Sequence, residues 1–223
     1  MLADDALHRL RTIIRRFVPR RFHRHATHAV GRVASLALRG DQFSCPCCGA
    51  CLRRFISYPS LYCPQCGAYE RHRLLALQLR ERPQLLAPPL QLLQVSPDRP
   101  LERLVARHGI ERVSIDIDNP EVDLQMDVQE LAFTDESFDA VLALHVVDAV
   151  ADQPRALAEL HRVLRRGGVA VFQVPIDQQP RLATNLDSAG FELDILRAAQ
   201  LGPKAIALHG LIAEEETYVG RKA

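Results

Sequence analysis

The sequence predicts an α/β protein: a doubly wound, largely parallel sheet preceded by a small cysteine-rich ribbon and by amino-terminal helices. Three observations carry that expectation. Residues 137–175 read as strand, helix, glycine stop and strand; six cysteines crowd between Cys45 and Cys66; and a carboxylate pair, Asp116 and Asp118, closes another apolar run.

The first observation sets the class. Ala140-Val-Leu-Ala-Leu-His-Val-Val is mostly apolar, as suits a strand covered on both faces, and Phe138-Asp139 leads into it. Asp152-Gln-Pro signals a helix start, with Ala156, Leu157, Leu160, Val163 and Leu164 at helical spacing. Arg165, Arg166 and Gly167-Gly168 are expected to close that helix, because cations suit its C-terminal dipole and glycine takes the left-handed cap without strain. Val169-Ala-Val-Phe-Gln-Val-Pro is then the next buried strand, completing a βαβ unit with a right-handed crossover.

A chain of 223 residues accommodates one ordinary domain and a small appendage, and 48% hydrophobic residues is a globular composition. No apolar run is long enough to cross a bilayer, so a water-soluble chain is expected. A net charge of +1 excludes a general polyanion binder. The charge is uneven, however: residues 1–40 hold nine arginines against Asp4 and Asp5. Clustered cysteines read as a metal site in a reducing compartment rather than a disulfide framework, which makes a cytoplasmic location the expectation. The domain plan is a basic amphipathic helical segment over 1–40, a zinc ribbon over 41–69, a connecting helix and linker over 70–89, and the sheet domain over 90–223.

In the amino-terminal segment Leu10, Ile13, Ile14, Phe17 and Val18 share one helical face and Arg9, Arg11, Arg15 and Arg16 take the others, up to Pro19. A weaker helical pattern runs from Ala26 to Leu38. Two readings stand side by side: the apolar stripes pack on the protein or a second subunit, or the basic helix attaches the chain peripherally to an anionic membrane surface or RNA. No aromatic interleaving of the base-stacking kind favours RNA.

Cys45-Pro-Cys-Cys48-Gly and Cys63-Pro-Gln-Cys66-Gly are one knuckle written twice, and fourteen residues between them fit a short hairpin through Phe55, Ile56 and Tyr58. Each turn aims two thiolates at one point, and Gly49 or Gly67 lets the backbone fold back so that amides face sulfur. Four thiolates, Cys45, Cys48, Cys63 and Cys66, close a tetrahedral Zn²⁺ with no open position, so the metal is read as structural. Cys47 and Cys51 are surplus, and Cys51 is the alternative ligand.

Tyr69-Glu-Arg-His-Arg then opens a helix carrying Leu74, Leu75, Leu77 and Leu79 and ending before Pro83. Its first turn reads as solvated with an internal ion pair, or as a cover on a ligand cleft holding an anionic group. After Pro88-Pro89, Leu90-Gln-Leu-Leu-Gln-Val is the first strand of the sheet. Ligands of open α/β sheets bind beyond the carboxyl ends of strands, so the loop Val95, Ser96, Pro97 should meet one, although it contains no glycine. Leu101, Leu104, Val105 and His108 make the next helix face, stopped by Gly109. An acid at the end of Arg112-Val-Ser-Ile-Asp-Ile-Asp would accept both hydroxyls of a ribose; Asp116 and Asp118 compete for that place, and turn chemistry before Asn119-Pro120 is the plain alternative.

The run Leu131-Ala-Phe-Thr-Asp-Glu-Ser-Phe-Asp-Ala-Val followed by Ala158-Glu-Leu-His-Arg-Val-Leu-Arg-Arg-Gly-Gly resembles the middle of the class I S-adenosylmethionine-dependent methyltransferases of the type 11 group, over residues 90–175. The cysteine ribbon followed by Glu70-Arg-His-Arg resembles the amino-terminal part of a subgroup of them. The resemblance implies a Rossmann-like sheet and S-adenosyl-L-methionine bound by Val95, Ser96, Pro97, Asp116, Asp118, Asp127, Val128 and His145. It places Asp127 and the Val128 backbone near the adenine edge, and His145 and Asp148 where side chains meet the transferring methyl. The sequence departs from that pattern at the glycine-free loop, at Ala149 where relatives commonly have histidine, and at Asp148 where they have glutamate.

Toward the carboxyl terminus, Asn185 to Phe191 reads as a helix, Glu192 to Leu196 as a strand, and His209-Gly-Leu-Ile with Thr217-Tyr-Val-Gly as a closing hairpin. The expected function is methyl transfer to a small-molecule or glycan acceptor. A methyltransferase-fold scaffold without turnover and a zinc-ribbon RNA methyltransferase are the alternatives.

Overall fold

The computed structural model describes residues 30–57, 60–87, 90–107 and 109–223. The expected amphipathic helix through Leu10 to Val18, Tyr58, the expected linker at Pro88-Pro89, and His108 lie outside the described residues. Residues 30–37 are helical, as the second amino-terminal pattern predicts.

The ribbon consists of β1 (Arg39–Ser44) paired with β2 (Cys51–Leu52), and β3 (Ile56–Ser57) paired with β4 (Leu61–Tyr62). Helix α1 (Glu70–Glu81) follows. The sheet domain then runs β5 (Gln91–Val95), α2 (Arg99–Arg107), β6 (Glu111–Asp116), β7 (Leu124–Gln125), β8 (Phe138–Leu144), α3 (Gln153–Val163), β9 (Leu164–Gln173), α4 (Gln179–Ser188), β10 (Phe191–Arg197), α5 (Pro203–His209) and β11 (Glu216–Lys222).

The seven strands lie in the order β10-β11-β9-β8-β5-β6-β7, all parallel except β11, which runs antiparallel to both its neighbours. From β5 the chain steps outward to β6 and β7, then returns to β8 on the other side of β5. That reversal is where open α/β sheets leave a crevice at their carboxyl edge. Central strands buried on both faces explain the continuous apolar runs: Leu93 and Val95 point into one core with Val141, Leu157 and Leu160, while Leu92 and Leu142 point into the other.

The second core is not built by helices alone. Leu52, Phe55, Cys63 and Ala68 of the ribbon share it with Leu75 and Leu79 of α1, Leu101 and Leu104 of α2, and Leu142 and Val171 of the sheet. The ribbon is therefore part of a layer on one face of the sheet. Burying Leu52 and Phe55, which are 1% and 3% exposed, contributes about 2 kcal/mol each.

Three expected boundaries move. Helix α3 stops at Val163 and β9 begins at once, so Arg165-Arg-Gly-Gly is not a cap. Between the pairs Phe138↔Leu164 and Ala140↔Val169 one strand advances two residues and the other five, a bulge in which Gly167 takes φ 73° and Arg165 Nη1 binds Asp139 Oδ1 at 2.6 Å. The expected helix Asn185 to Phe191 lies earlier, as α4, because Phe191 is needed in β10. His209 ends helix α5 rather than entering a hairpin; β10 and β11 make the antiparallel pair instead, from Phe191↔Lys222 to Arg197↔Glu216.

Candidate active site and metal centre

The four knuckle thiols converge. Cys45, Cys48, Cys63 and Cys66 Sγ atoms lie within 4.8 Å of one another, with Cys45–Cys66 and Cys48–Cys63 both at 3.7 Å. A zinc tetrahedron with bonds of about 2.3 Å has sulfur–sulfur edges of about 3.8 Å, so the donor set fits that metal. The two knuckles superpose bond for bond: Cys45 N–H donates to Ala50 O and Cys63 N–H to Ala68 O at 2.9 Å, and Gly49 N–H and Gly67 N–H return to Cys45 O and Cys63 O at 2.8 Å. Those returns need the left-handed backbone at φ 77° and 82°, hence the glycines. Cys47 is buried with its thiol on His72 O at 3.3 Å, and Cys51 is exposed; neither joins the cluster.

The turn Glu70-Arg-His-Arg is not solvated. Glu70, His72 and Arg73 are 6%, 1% and 0% exposed, because each satisfies backbone groups that would otherwise be orphaned. Glu70 accepts the Leu61 amide at 2.6 Å. The Arg73 guanidinium donates to His209 O, Leu61 O, Ala68 O and Gly210 O at 2.7, 3.0, 2.7 and 2.8 Å and lies 4.0 Å over the Phe55 ring. It pins the ribbon and the carboxy-terminal α5 to α1.

His72 joins this layer to the sheet edge. Its Nδ1 accepts the Tyr69 amide at 3.0 Å, so its proton sits on Nε2, which meets Asp98 Oδ2 at 2.9 Å. Burial lowers its pKa despite that carboxylate, which keeps the ring neutral. Asp98 also takes Arg71 at 3.3 Å and the Leu101 amide at 3.1 Å, capping α2. Burial works to raise the Asp98 pKa, but these donors outweigh it and hold the carboxyl below its ordinary range.

Beside Asp98 opens a cleft of about 390 Å³ at the carboxyl ends of β5, β6 and β8. Val95 and Ser96 reach it from β5, Asp116 and Asp118 from β6, Asp127 and Val128 from the segment after β7, and His145 from the end of β8. Two predicted residues are not in its lining: Pro97, which continues toward α2, and Asp148, which lies past it. Sequence reasoning missed Ile117, Met126 and Gln129, which also line it. Ile117 carries a signal in hindsight, an isoleucine between two carboxylates at a strand end, and stands 60% exposed.

Ser96 and His145 are matched devices. Each is the first residue past its strand, each N–H still bonds the neighbouring strand (Ser96 to Ile115 O at 2.8 Å, His145 to Gln173 O at 2.7 Å), and each takes a left-handed φ of 45° and 54°. Non-glycine residues pay about 1–2 kcal/mol for that backbone, so such strain persists only where the surroundings enforce it. Serine here holds the backbone shape that a glycine turn would hold. Its side chain also helps to lower the pKa of Asp116, whose Oδ1 accepts the Asp118 and Asn119 amides at 2.8 Å. Burial opposes the shift, yet these donors keep Asp116 ionised below its usual range. Turn chemistry and a cleft-lining position thus coexist in one carboxylate. Asp127 is oriented by Gln129, whose backbone and side-chain amides donate at 2.8 and 3.1 Å. Arg162 of α3 holds the following segment through Leu131 O and Phe133 O at 2.9 and 2.8 Å, which links the two halves of the recognised motif.

Among the described residues, the polar atoms buried without a partner include His145 Nε2, Asp148 Oδ1 and Glu215 Oε2. Burial, then the charge of Arg71, pushes the His145 pKa down to about 4. Burial, then Asp177, raises that of Asp148. Burial, then Glu70, raises Glu215 to about 7.

Comparison with known proteins agrees with this geometry. Residues 98–172 match a family model described as a methyltransferase domain. A phosphatidylethanolamine N-methyltransferase of Cereibacter sphaeroides is 41% identical over 70 residues, 30% of this chain and 34% of that protein. The chain thus spans about a third of the length of that curated relative. Among solved structures, the cyclase SpnF superposes with a TM-score of 0.53 at 15% identity over 88% of this chain and 96% of its own. A S-adenosylmethionine-dependent methyltransferase from Archaeoglobus fulgidus gives 0.51 at 14% over 68% and 94%. These two likenesses are likenesses of fold. Strand order, edge cleft and matched segment agree: the sheet domain has a Rossmann-like methyltransferase fold, and residues 98–172 within it are similar to a methyltransferase domain.

Proposed function

We propose that this chain is an S-adenosylmethionine-dependent methyltransferase acting on a small-molecule or glycan acceptor. The observation that carries the reading is the cleft itself: an ionised, pre-oriented Asp116 beside a strained, glycine-like Ser96 at the topological switch point. Asp116 would take the two ribose hydroxyls, and Asp127 with the Val128 backbone the adenine edge. Ile117 is a large apolar side chain held out to water, suited to cover a ring face. When bound, the cofactor supplies a methyl group already activated on a sulfonium, so the protein has chiefly to align a nucleophile and keep the site dry.

His145 and Asp148 would do the aligning. A neutral imidazole with a pKa near 4 is too weak a base to strip an amine or hydroxyl outright, but its lone pair orients a nucleophile that carries hydrogen. Asp148, shifted upward, is the better matched proton acceptor. The unpartnered atoms of His145 and Asp148 suit an acceptor that donates hydrogen bonds, such as an amine or sugar hydroxyl. The name of the Cereibacter protein brings an ethanolamine headgroup forward within that class. The zinc would be structural, held by Cys45, Cys48, Cys63 and Cys66.

Calorimetry of the full chain with S-adenosylmethionine and with its demethylated product tests the reading. Both should bind, and Asp116→Asn should weaken them about 10- to 100-fold, the worth of hydrogen bonds to a charged group. No heat from either ligand would leave only a scaffold that keeps the fold.

A further inference from the structure

A second cavity, of about 490 Å³, opens against the ribbon and shares no lining residue with the cleft. Its walls are the helix over 30–37 and α2, its floor Cys48 and Cys66 of the second and fourth thiol positions. Arg32 of the helix and Arg39 at the start of β1 line one side and Arg103 and Arg107, one turn apart on α2, the other; no aspartate or glutamate lines it. The helix reaches this position by close approach at Gly31, where any side chain would collide with the Pro64 carbonyl of the second knuckle. Arg107 Nη1 donates to Cys47 O. Arg32, Arg39 and Arg103 have no carboxylate partner among the described residues.

Part of this charge has a local use. A zinc ion with four thiolates carries a net charge of about −2, and arginines beside it offset that. Four guanidiniums exceed the requirement by two. The excess faces solvent next to Val33 and Leu36, which are 68% and 57% exposed on the same helix. Exposed apolar side chains flanked by arginine are the pattern of a helix lying at a lipid interface, and the preceding residues 1–29 add seven more arginines in sequence. The cavity lining holds no aromatic ring on which a base could stack.

We propose that this arginine-lined hollow is a phosphate site that seats the chain on an anionic phospholipid surface, with Val33 and Leu36 entering the headgroup layer. The claim is independent of methyl transfer. Flotation of the full-length protein with vesicles of phosphatidylcholine, alone or containing phosphatidylglycerol, tests it. The wild type should float only with the anionic vesicles and be released by salt. Arg32→Ala with Arg103→Ala should weaken binding about 30-fold, since each arginine near such a surface is worth about 1 kcal/mol, while the double lysine variant retains it. Thermal unfolding of both variants separates lost binding from lost fold. Equal flotation of the wild type and the double alanine variant would overturn the proposal, as would failure of the wild type to float. Release by inorganic phosphate beyond that by sodium chloride at equal ionic strength would mark a soluble phosphate ligand, and single-stranded RNA outcompeting the vesicles would mark a nucleic-acid site; either overturns the membrane reading.

Discussion

Replacing Arg73 by methionine tests whether the ribbon, α1 and α5 act as one body. The guanidinium makes four bonds of 2.7–3.0 Å to carbonyls of Leu61, Ala68, His209 and Gly210, and methionine can make none. At roughly 1.5 kcal/mol for each bond from a charged donor the gross loss is about 6 kcal/mol. Against it stands the desolvation of a buried cation, which lowers the Arg73 pKa and which methionine no longer bears. The four carbonyls stay buried, so the net cost should be about 4 kcal/mol, a fall in midpoint temperature of about 8–16 °C for a chain of this size. Arg73→Lys keeps the charge but not the planar fork, and should cost about half as much. Urea titrations at matched metal content, with unchanged slope, give both values. A cost below about 1 kcal/mol for methionine would mean that burying the charge cancels its bonds, and the staple argument would fail.

Three other outcomes are expected. Glu215 has its pKa raised from 4.5 to about 7, so the folded state binds its proton more tightly; this favours folding below pH 4.5 and is lost as the pH rises to about 7. Glu215→Gln should therefore be the more stable protein at pH 8, by about 3 kcal/mol at most, with a flatter stability profile; parallel profiles would refute the shift. Cys45→Ser should lose bound zinc and much of its stability, whereas Cys51→Ser should hold about one equivalent by metal analysis. Ser96→Gly should unfold at or above the wild-type midpoint while Ser96→Val falls by about 2 kcal/mol, because only glycine takes φ 45° freely; similar midpoints for the two would show the turn to be unstrained.

What the sequence made legible follows from signal that is local. The parallel strands announce themselves by apolar runs, the knuckles by spacing, and Asp116 by its place at a strand end. The misread parts depend on distant partners or on shared signatures. Arg73 looks like any charged first-turn residue because two of its acceptors lie 136 and 137 residues away. Arg165-Arg-Gly-Gly carries the composition of a helix cap, and only the pairing of Phe138 with Leu164 turns it into a bulge. The glycine-free loop argued against a nucleotide-type turn because residue type was taken as a proxy for backbone shape. Ser96 and His145 adopt that shape regardless, and nothing in their identity foretells it.

For Ser96 the support is the layer beneath it. Asp98 lies two residues beyond Ser96, and it is held by His72 and Arg71 from α1 while capping α2. His72 in turn carries its backbone carbonyl against the thiol of Cys47, which lies in sequence between Cys45 and Cys48 of the thiol cluster. The first turn that lines the cleft is thus fixed at one end by the β5–β6 ladder and at the other by a chain of contacts that begins at the thiol cluster. A small ribbon that shares its core with the sheet supplies what the missing glycine would otherwise supply: a reason for the backbone to stay turned with no ligand to hold it there. Thiol cluster and cleft are consequently linked through Asp98, and the ribbon is part of the scaffold that shapes the cleft.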